Sequence, residues 1–478
     1  MKTRSLISVL LLSFSYFLQA QEGLDCFSVL VGKDATVDGS VMFAHNEDDW
    51  GDRIVNWYQV PGSNHQPGEM IRLVNGGNLP QASVTYSYLW LEMPEMEFSD
   101  SYMNEWGVTI GSDACQSRED KPDLTDGGIG YWLRRAMAER SRTAREAVKI
   151  GGALVEQFGY SSSGRTYVIA DATEGWMLSV VKGKHWVAQR VPDDHIAIIP
   201  NYYTITTVDL RDTMNFYGSD DLVEYAIKRR WYNPNKDGDF NFRMAYSDEG
   251  NLENMGNIVR NWSAINLVSA EEHEIDGGFP FSLRPKKKIA LTDLFTILRN
   301  HNEGTKYDGS ENYTKGNPHS FGRAICASTT QYGFIAQLRK GMPKEIASVM
   351  WLAPFRPCVH PFTQWYAGMD RIPAGYAEGS YRNALVNHFE PIENVFEFAP
   401  DNKFLEAVLH AKKVDEDYGQ QINQIRSRIR ILEEELINSQ PGFESRMAKL
   451  ISQDNVAARK AINDYCEKQL QRAEALLR

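Results

Sequence analysis

Several features that would fix a function at once are scarce or missing from this sequence. Five of the 478 residues are cysteine, and they stand too far apart to form a disulfide framework or a zinc motif. The ten histidines include no His-x-x-x-His spacing, so a metallohydrolase is not indicated. No apolar run after the first twenty residues is long enough to cross a bilayer. We therefore expect a mature protein without metal, cofactor or membrane span.

Basic residues are also fewer than acidic residues. Lysine and arginine number 51 against 63 aspartates and glutamates, which gives a formal net charge of −12. This balance argues against nucleic acid or an anionic membrane as a partner. A hydrophobic fraction of 42%, with 11% aromatic residues, is ordinary for a globular protein, and the length allows one large domain or two.

The first twenty residues have the composition of a secretory signal peptide. Two basic residues precede an apolar run over residues 6–18, and Ala20 is a small residue at a plausible cleavage point. Cleavage after Ala20 leaves residues 21–25 as a short propeptide in front of Cys26. The sequence therefore predicts an exported protein, either periplasmic or secreted.

Two short strands are predicted directly after this propeptide. Residues 28–31 and 41–44 are apolar and rich in β-branched types, and Asp38-Gly39 between them is a turn signal. An antiparallel hairpin of these strands brings Cys26 to the same end as the polar cluster His45-Asn46-Glu47-Asp48. The pattern thus predicts a site assembled from one short segment.

Cys26 has two interpretations. If residues 21–25 are removed, it carries a free α-amine with a pKa of about 7.7–8.0, which can take the thiol proton while the sulfur attacks a carbonyl carbon. A cysteine at the start of a strand is also commonly a buried structural residue, because free cysteine is among the most buried residue types. Composition and spacing alone favour the structural interpretation.

The rest of the chain indicates the α+β class. Strands are followed by a helical pair, in which Thr143 and Glu146 have capping-box spacing, and strands then return from residue 166 to residue 200. Near the C-terminus, apolar residues from Ile422 to Leu436 recur at helical spacing and Pro441-Gly442 interrupts them. We expect a helical hairpin with its turn at that interruption, packed on the body of the protein or on a second copy.

A series of motifs occurs in a characteristic order over residues 26 to about 370. They are Cys26-Phe-Ser-Val-Leu-Val-Gly-Lys, Asn46-Glu-Asp48, Asn104-Glu-Trp-Gly-Val108, Thr143-Ala-Arg-Glu146, His185-Trp-Val-Ala-Gln-Arg-Val-Pro-Asp-Asp194 with Pro200-Asn201, Gln337-Leu-Arg339 and Val349-Met-Trp351. Together they resemble the dipeptidase A and secernin family of cysteine Ntn-hydrolases. The resemblance implies a four-layer αββα Ntn-hydrolase sandwich with a C-terminal helical hairpin.

The resemblance also implies how the chain is divided. The segments are a signal peptide over residues 1–20, a propeptide over 21–25, a catalytic domain over 26–395 and a helical extension over 396–478.

Three catalytic roles follow from the same resemblance. Cys26 would be the nucleophile with its own α-amine as base, Asp48 would orient that amine, and Asn201 would donate a hydrogen bond to the oxyanion. The ordinary alternatives are a solvated turn carboxylate for Asp48 and a simple loop start for Asn201.

Three more residues are candidates for substrate binding: His45, Asn46 and Arg323. The family more often has arginine at the position of His45, and histidine is near neutral at pH 7, so a structural histidine is an equal alternative there. Arg323 precedes the strand region that contains Cys326 and is a candidate for a positive group beside the thiol, although a surface arginine is the common outcome.

The function that the resemblance implies is an exported cysteine dipeptidase, which hydrolyses small peptides through an acyl-enzyme on Cys26. One alternative is a non-peptide amide hydrolase of the choloylglycine hydrolase or penicillin acylase type. Another is a catalytically silent binding protein. The C-terminal helices are a candidate surface for a homo-oligomer, and neither nucleic acid nor a membrane is expected as a partner.

Overall fold

A computed structural model describes residues 26–49, 53–275, 278–322, 324–390 and 401–477. The predicted signal peptide, the predicted propeptide, the boundary between residues 395 and 396, and the candidate Arg323 lie outside the described residues. Within them, none of the helices combines the length and apolar character that a membrane crossing needs.

The strands supply most of the ordered framework. In chain order they are β1 Phe27–Val31, β2 Val41–Asp48, β3 Asn56–Val60, β4 Ser63–Asn64, β5 Met70–Arg72, β6 Asn78–Pro80, β7 Val84–Thr85, β8 Tyr88–Glu92, β9 Ser101–Asn104, β10 Thr109–Ala114, β11 Tyr160–Ala170, β12 Gly175–Gly183, β13 Trp186–Val191, β14 Ile196–Ile199, β15 Phe216–Gly218, β16 Thr330–Leu338, β17 Ser348–Pro354 and β18 Thr363–Tyr366.

These strands form two large antiparallel sheets. The six-stranded sheet has the order β14-β1-β2-β16-β17-β18, and the eight-stranded sheet has the order β15-β13-β12-β11-β10-β9-β8-β3. Two minor sheets pair β4 with β7 and β5 with β6. Antiparallel pairing throughout the two sheets confirms the α+β expectation.

The predicted hairpin at the start of the chain is confirmed. Strands β1 and β2 pair antiparallel with Ser28 opposite His45 and Phe27 opposite Asn46. Both strands are buried along their whole length, and in β2 this includes the four polar residues from His45 to Asp48. Cys26 therefore lies at the same end of the sheet as Glu47 and Asp48, as the sequence predicts.

The two large sheets contact each other through small and apolar residues. Phe43 of β2 lies against Gly111 of β10, where an added Cβ would be 2.9 Å from the Phe43 ring. Val29 of β1 belongs to the same buried cluster as Val168 of β11. Because residue 111 is glycine, β10 can approach β2 closely. Polar groups of the two sheets meet next to this contact.

The helices are α1 Tyr131–Arg140, α2 Ala144–Phe158, α3 Leu222–Lys228, α4 Phe242–Tyr246, α5 Glu249–Leu252, α6 Met255–Val268, α7 Leu291–Leu298, α8 Lys344–Ala347, α9 Tyr381–Asn387, α10 Lys403–Asp415, α11 Tyr418–Gln453 and α12 Asn455–Leu476. Two single 3₁₀ turns, Lys33–Ala35 and Pro318–Ser320, occur in loops. Thr143 caps α2 by accepting a hydrogen bond from the Glu146 amide at 3.1 Å, which confirms the predicted cap.

The helices pack on both sheets. Apolar residues of α1 and α2 share a buried cluster with strands of the eight-stranded sheet. Helices α6 and α7 contact strands β14, β2 and β16, while α11 and α12 contact β18. The C-terminal helices therefore pack on the body of the protein, which is one of the two arrangements expected from sequence.

The predicted turn at Pro441-Gly442 is wrong, because α11 runs through both residues and ends at Gln453. Proline removes one helical hydrogen bond, but the buried spacing continues past it, and the Phe443 ring stacks on Tyr465 of α12 at 3.8 Å. The turn of the hairpin is at Asp454, whose side chain caps α12 by accepting from the Ala457 amide at 3.0 Å. Tertiary packing and a proper cap outweigh the local preference of proline.

Candidate active site

The candidate site begins where β1 and β2 meet at the edge of the hairpin. Continuing the β1–β2 register by one residue places Glu47 opposite Cys26. The Cys26 thiol donates to Glu47 Oε1 at 3.1 Å, and it also lies 3.8 Å from the backbone carbonyl of Asp48. The thiol is buried, with Cys26 only 1% exposed.

Hydrogen bonds continue from Glu47 into the space between the sheets. Glu47 Oε2 is 3.0 Å from His45 Nε2, and His45 Nδ1 is 2.8 Å from Ser28 Oγ. The Ser28 hydroxyl donates to Asp113 Oδ2 on β10 at 2.6 Å. We call the five residues Cys26, Glu47, His45, Ser28 and Asp113 the thiol relay. It links the two large sheets through fully buried polar groups.

Burial sets the protonation of the relay. Burial, joined by the charges of Arg134 and Arg165 and opposed by that of Asp113, lowers the pKa of His45 to about 4. It also raises the pKa of Glu47 well above its usual range. Asp113 rises to a pKa of about 6 for the same reason. At neutral pH, His45 is therefore uncharged and Asp113 is mostly a carboxylate, while burial favours the protonated form of Glu47.

These protonation states give one consistent direction to every hydrogen bond. Ser28 donates to the Asp113 carboxylate, so its oxygen accepts from His45 Nδ1–H. Nε2 of a neutral His45 is then a lone pair, which accepts from the protonated Glu47. The other Glu47 oxygen accepts from the Cys26 thiol. The tautomer of His45 follows from its partners, and the relay holds the thiol with its proton in place.

The same surroundings disfavour a resting thiolate. Burial raises the pKa of the Cys26 thiol well above its usual range, and negative charge on the side chains of Glu47, Asp113 and Asp48, whenever they are ionised, raises it further. A protonated thiol is a weak nucleophile, so any attack by this sulfur needs a base that removes the proton during the reaction.

A second set of contacts surrounds the Cys26 backbone. Continuing the β1–β14 register by two residues places Asn201 opposite Cys26. Arg260 of α6, which is fully buried, donates to the Cys26 carbonyl at 3.3 Å and to Asn201 Oδ1 at 2.7 Å. Asn201 adopts a left-handed backbone conformation with φ of 72°, which asparagine tolerates better than most residues. Arg260 therefore fixes both Asn201 and Cys26.

The amide nitrogen of Asn201 remains available as a donor. Because Oδ1 accepts from Arg260, Nδ2 points its hydrogens elsewhere, and it is buried without a hydrogen-bond partner among the described residues. A buried donor without a partner is costly and uncommon, and it is the property required of a group that binds a developing oxyanion.

Asn46 has internal partners. Its Nδ2 donates to the backbone carbonyls of Leu298 at 2.9 Å and Ile325 at 2.8 Å. Gly333 of β16 pairs with Asn46, and a Cβ there would lie 2.7 Å from Asn46 Oδ1, so only glycine leaves the amide in place. These contacts tie two loops to the strand that carries Glu47.

The structure thus brings together Cys26, His45, Asn46, Asp48 and Asn201 at one end of the six-stranded sheet. Substrate contact by His45 and Asn46 stays a prediction, and both side chains are fully buried.

Sequence reasoning gave no role to four residues of this site: Ser28, Glu47, Asp113 and Arg260. Strand alternation carried a signal for Glu47, because residues at even spacing on β2 share a face with His45. Arg260 lies among buried residues of α6 at helical spacing, and a charged residue on such a face is a recognisable exception. Asp113 lies on another sheet, and no local pattern connects it with Cys26.

The sequence model of Peptidase family C69 matches residues 25–413 of this chain. Among curated proteins, a probable dipeptidase of Latilactobacillus sakei is 26% identical over 378 residues, covering 76% of this chain and 78% of that protein. A probable dipeptidase A of Streptococcus pyogenes serotype M1 is 29% identical over 389 residues, covering 76% and 79%. A dipeptidase of Bifidobacterium longum is 26% identical over 410 residues, covering 76% and 75%.

Among solved structures, a variant of conjugated bile acid hydrolase from Clostridium perfringens matches 72% of this chain and 92% of its own. The sequence identity is 12% and the TM-score is 0.33. A similarity at this level supports no argument about the present site.

Proposed function

Because the chain belongs to peptidase family C69 and is a cysteine peptidase, we propose that it is an exported dipeptidase with Cys26 as its N-terminal nucleophile. The observation that carries this proposal is the position of Asn201. Its buried Nδ2 lacks a partner among the described residues, and Arg260 connects Asn201 directly to Cys26.

The first step is attack by the Cys26 sulfur on the carbonyl carbon of the substrate. Release of residues 21–25 creates an α-amine on Cys26, and this amine takes the thiol proton during the attack because the thiol does not ionise by itself. Asp48, which adjoins Cys26 at the hairpin end, orients the protonated amine.

Asn201 Nδ2 donates to the oxyanion that forms on the substrate carbonyl oxygen. The Cys26 ammonium then gives its proton to the departing amine, and a thioester on Cys26 remains. Water, deprotonated by the same α-amine, hydrolyses the thioester and restores the thiol. Before the attack, the thiol relay holds the protonated sulfur through Glu47, and the same contact can form again once the thiol is restored.

The proposal includes a fold and a location. We propose that the two facing sheets and their covering helices form a four-layer αββα sandwich of the Ntn-hydrolase type. The N-terminal segment is proposed as a signal for export to the periplasm or the outside. Association of two chains through the outer surface of the C-terminal helices remains a prediction.

A substrate panel tests the proposed activity. The mature chain is assayed for amine release from unblocked dipeptides and, in parallel, from glycine-conjugated bile salts and N-acyl lactams. We expect hydrolysis of dipeptides by wild type and none by Cys26→Ala, with Cys466→Ala as a matched control at a buried cysteine of α12. Activity only on the non-peptide amides would favour the amide hydrolase instead. Inactivity on every substrate would favour a binding protein.

A further inference from the structure

A second buried cluster of cysteines and histidines lies apart from the candidate active site. Its members are His301 after α7, His319 in the 3₁₀ turn Pro318–Ser320, Cys326 before β16 and Cys358 after β17. One ring nitrogen of each histidine and both sulfurs all lie within 4.8 Å of one another. We call these four residues the Cys-His cluster. Both cysteines are fully buried, and the histidine side chains are at most 3% exposed.

Each histidine of the cluster places its Nδ1 against a carboxylate. His301 Nδ1 lies 3.2 Å from Glu303 Oε1, and His319 Nδ1 lies 2.9 Å from Asp415 Oδ1. The Tyr313 hydroxyl donates to the same Glu303 oxygen at 2.6 Å and holds it in place. Arg426 and Arg356 also lie near these nitrogens, at 3.3 Å from His301 Nδ1 and 3.4 Å from His319 Nδ1, but the carboxylates are closer. We therefore assign Nδ1–H to the carboxylates and a lone pair to Nε2, which is the arrangement of histidines that ligate metals.

The Nε2 atoms of the two histidines lack an adequate hydrogen-bond donor among the described residues. Nε2 of His301 is buried and has no hydrogen-bond partner in the part of the chain that the structure describes. Nε2 of His319 lies 3.5 Å from Cys358 Sγ, and a thiol is only a weak donor. A Cys326–Cys358 disulfide would remove even that donor and leave both lone pairs unsatisfied. A cation, by contrast, would use all four atoms.

We propose that the Cys-His cluster binds a structural Zn²⁺ ion. Two thiolates and two neutral imidazoles form a tetrahedral set that zinc prefers, and four protein ligands leave no open position for catalysis. The two thiol protons pass to solvent when the ion binds, so the charges of two thiolates and one Zn²⁺ cancel. The ligand class is a divalent, borderline-soft metal ion, and the carboxylates of Glu303 and Asp415 are its outer partners.

The ion would join parts of the chain that meet behind the candidate active site. Asn46 donates to the carbonyls of Leu298 and Ile325, which lie close in sequence to His301 and Cys326. The Cys326 amide donates to the carbonyl of Asn300 at 3.1 Å, so the two loops are already adjacent. Asp415 belongs to α10, and its contact with His319 extends the linkage to the C-terminal helices. The site is independent of the reaction proposed for Cys26.

The metal content of the full chain tests this proposal. Protein produced without a polyhistidine tag is dialysed against a chelator, unfolded, and analysed for released metal by mass spectrometry. We expect about one zinc per chain, released on unfolding and not before, and X-ray absorption distances of about 2.3 Å to two sulfurs and 2.0–2.1 Å to two nitrogens. Metal-free protein with Cys326 and Cys358 as thiols or as a disulfide in peptide mapping would overturn the proposal.

Single substitutions sharpen the test. Cys358→Ser and His301→Gln are expected to lose at least about tenfold in zinc retained after chelator dialysis. Cys466→Ser, at a buried cysteine away from the cluster, should retain zinc at the wild-type level. Zinc that the chelator removes from folded wild type, or that Cys358→Ser retains in full, would identify an adventitious ion and contradict the proposal. If Cys358→Ser does not fold, the stoichiometry and ligand distances of wild type still decide.

Discussion

The thiol relay and the Cys-His cluster contain the same residue types, yet their hydrogen bonds are arranged in opposite ways. In the relay, Glu47 stands between the thiol and His45, so an unbroken series of hydrogen bonds runs from the Cys26 sulfur to Asp113 Oδ2. In the Cys-His cluster, the carboxylates contact the Nδ1 atoms on the outer side of the histidines. The two sulfurs and the two Nε2 lone pairs face one another, with too few hydrogens to pair them all.

On the two proposed assignments, the place of the carboxylate separates a reactive cysteine from a metal ligand. A protonated carboxyl between a thiol and an imidazole donates to the imidazole nitrogen and accepts from the thiol, so the sulfur stays neutral until a base acts. When a carboxylate accepts a hydrogen bond from one nitrogen of an imidazole, the other nitrogen keeps its lone pair and can ligate a metal. Cys26, His45 and Glu47 also lie within 4.8 Å of one another, but their mutual hydrogen bonds already use the atoms that a metal would need.

Removing the reactive sulfur should have the largest effect. We expect Cys26→Ala to lower kcat/KM for dipeptides on the order of 10⁴-fold or more, because no other group of the site forms the covalent bond. Steady-state assays of the purified mature chain check this. Cys466→Ala is the matched control and should stay within about threefold of wild type, since its sulfur lies in α12. Equal activity of the two variants would refute a role for Cys26.

The proposed oxyanion donor should come next. Asn201→Ala is expected to lower kcat by about 10²–10³-fold, or about 2.7–4 kcal/mol of transition-state stabilisation, with little change in KM. Initial rates over a range of dipeptide concentrations separate the two constants. Asn257→Ala is a useful comparison, because Asn257 Oδ1 also accepts from Arg260 at 2.8 Å but has no proposed donor role. The assignment fails if both variants lose kcat equally.

The protonation of Glu47 can be tested by its amide analogue. Glutamine keeps an acceptor oxygen for the thiol and an N–H donor for His45, and it adds one N–H that a neutral carboxyl lacks, so Glu47→Gln should lower the free energy of unfolding by no more than about 1–2 kcal/mol. Glu47→Ala removes both hydrogen bonds and leaves a cavity, and should cost about 2–4 kcal/mol. Denaturant titrations at pH 7 measure both. A large loss for Glu47→Gln would mean that Glu47 is a buried carboxylate.

The smallest effect concerns pH. The folded pKa of His45, about 4, lies below its unfolded value of 6.5, so the unfolded chain gains a proton first as the pH falls and stability is lost below pH 6.5. Asp113, with a folded pKa of about 6 against 3.8, acts in the opposite direction, because its raised pKa costs stability as the pH rises through that window.

A substitution isolates the contribution of His45. Glutamine at this position is neutral, as His45 is above pH 5, so the Asp113 contribution is common to both proteins. Between pH 6.5 and 5, wild type should lose about 2 kcal/mol more unfolding free energy than His45→Gln, from about 1.4 kcal/mol per pH unit. Urea titrations at several pH values give the two slopes. Parallel slopes would show that His45 is charged in the folded protein.

Local patterns predicted the fold well where neighbours in sequence determine it. The β1–β2 hairpin follows from two β-branched runs and a turn, and the cap at Thr143 follows from its spacing to Glu146. The turn placed at Pro441 failed because packing of α11 on α12 outweighed a local signal. The balance between the local preference of proline and the packing of two helices can be judged only from the folded structure.

The site was predictable to a lesser degree. Cys26, Asp48 and Asn201 followed from motifs, and strand pairing explains why Cys26 and Asn201 meet. Asp113 reaches the site because the two sheets pack face to face, and Arg260 reaches it because α6 packs against the six-stranded sheet. Residue spacing in the sequence predicts neither contact. The Cys-His cluster was missed for the same reason, because three of its residues are spread along the connection from α7 to β16 and the fold brings them to Cys358 in the loop between β17 and β18.

The most direct test of the account is the N-terminus of the mature protein. Intact mass and N-terminal sequencing are applied to protein exported by its native host, beside the Cys26→Ala variant. The account predicts wild-type chains that begin at Cys26, with variant chains that begin near Gln21 if removal of residues 21–25 is autocatalytic. Active wild-type chains that retain residues 21–25 would have no α-amine on Cys26, and this result would contradict the proposed mechanism.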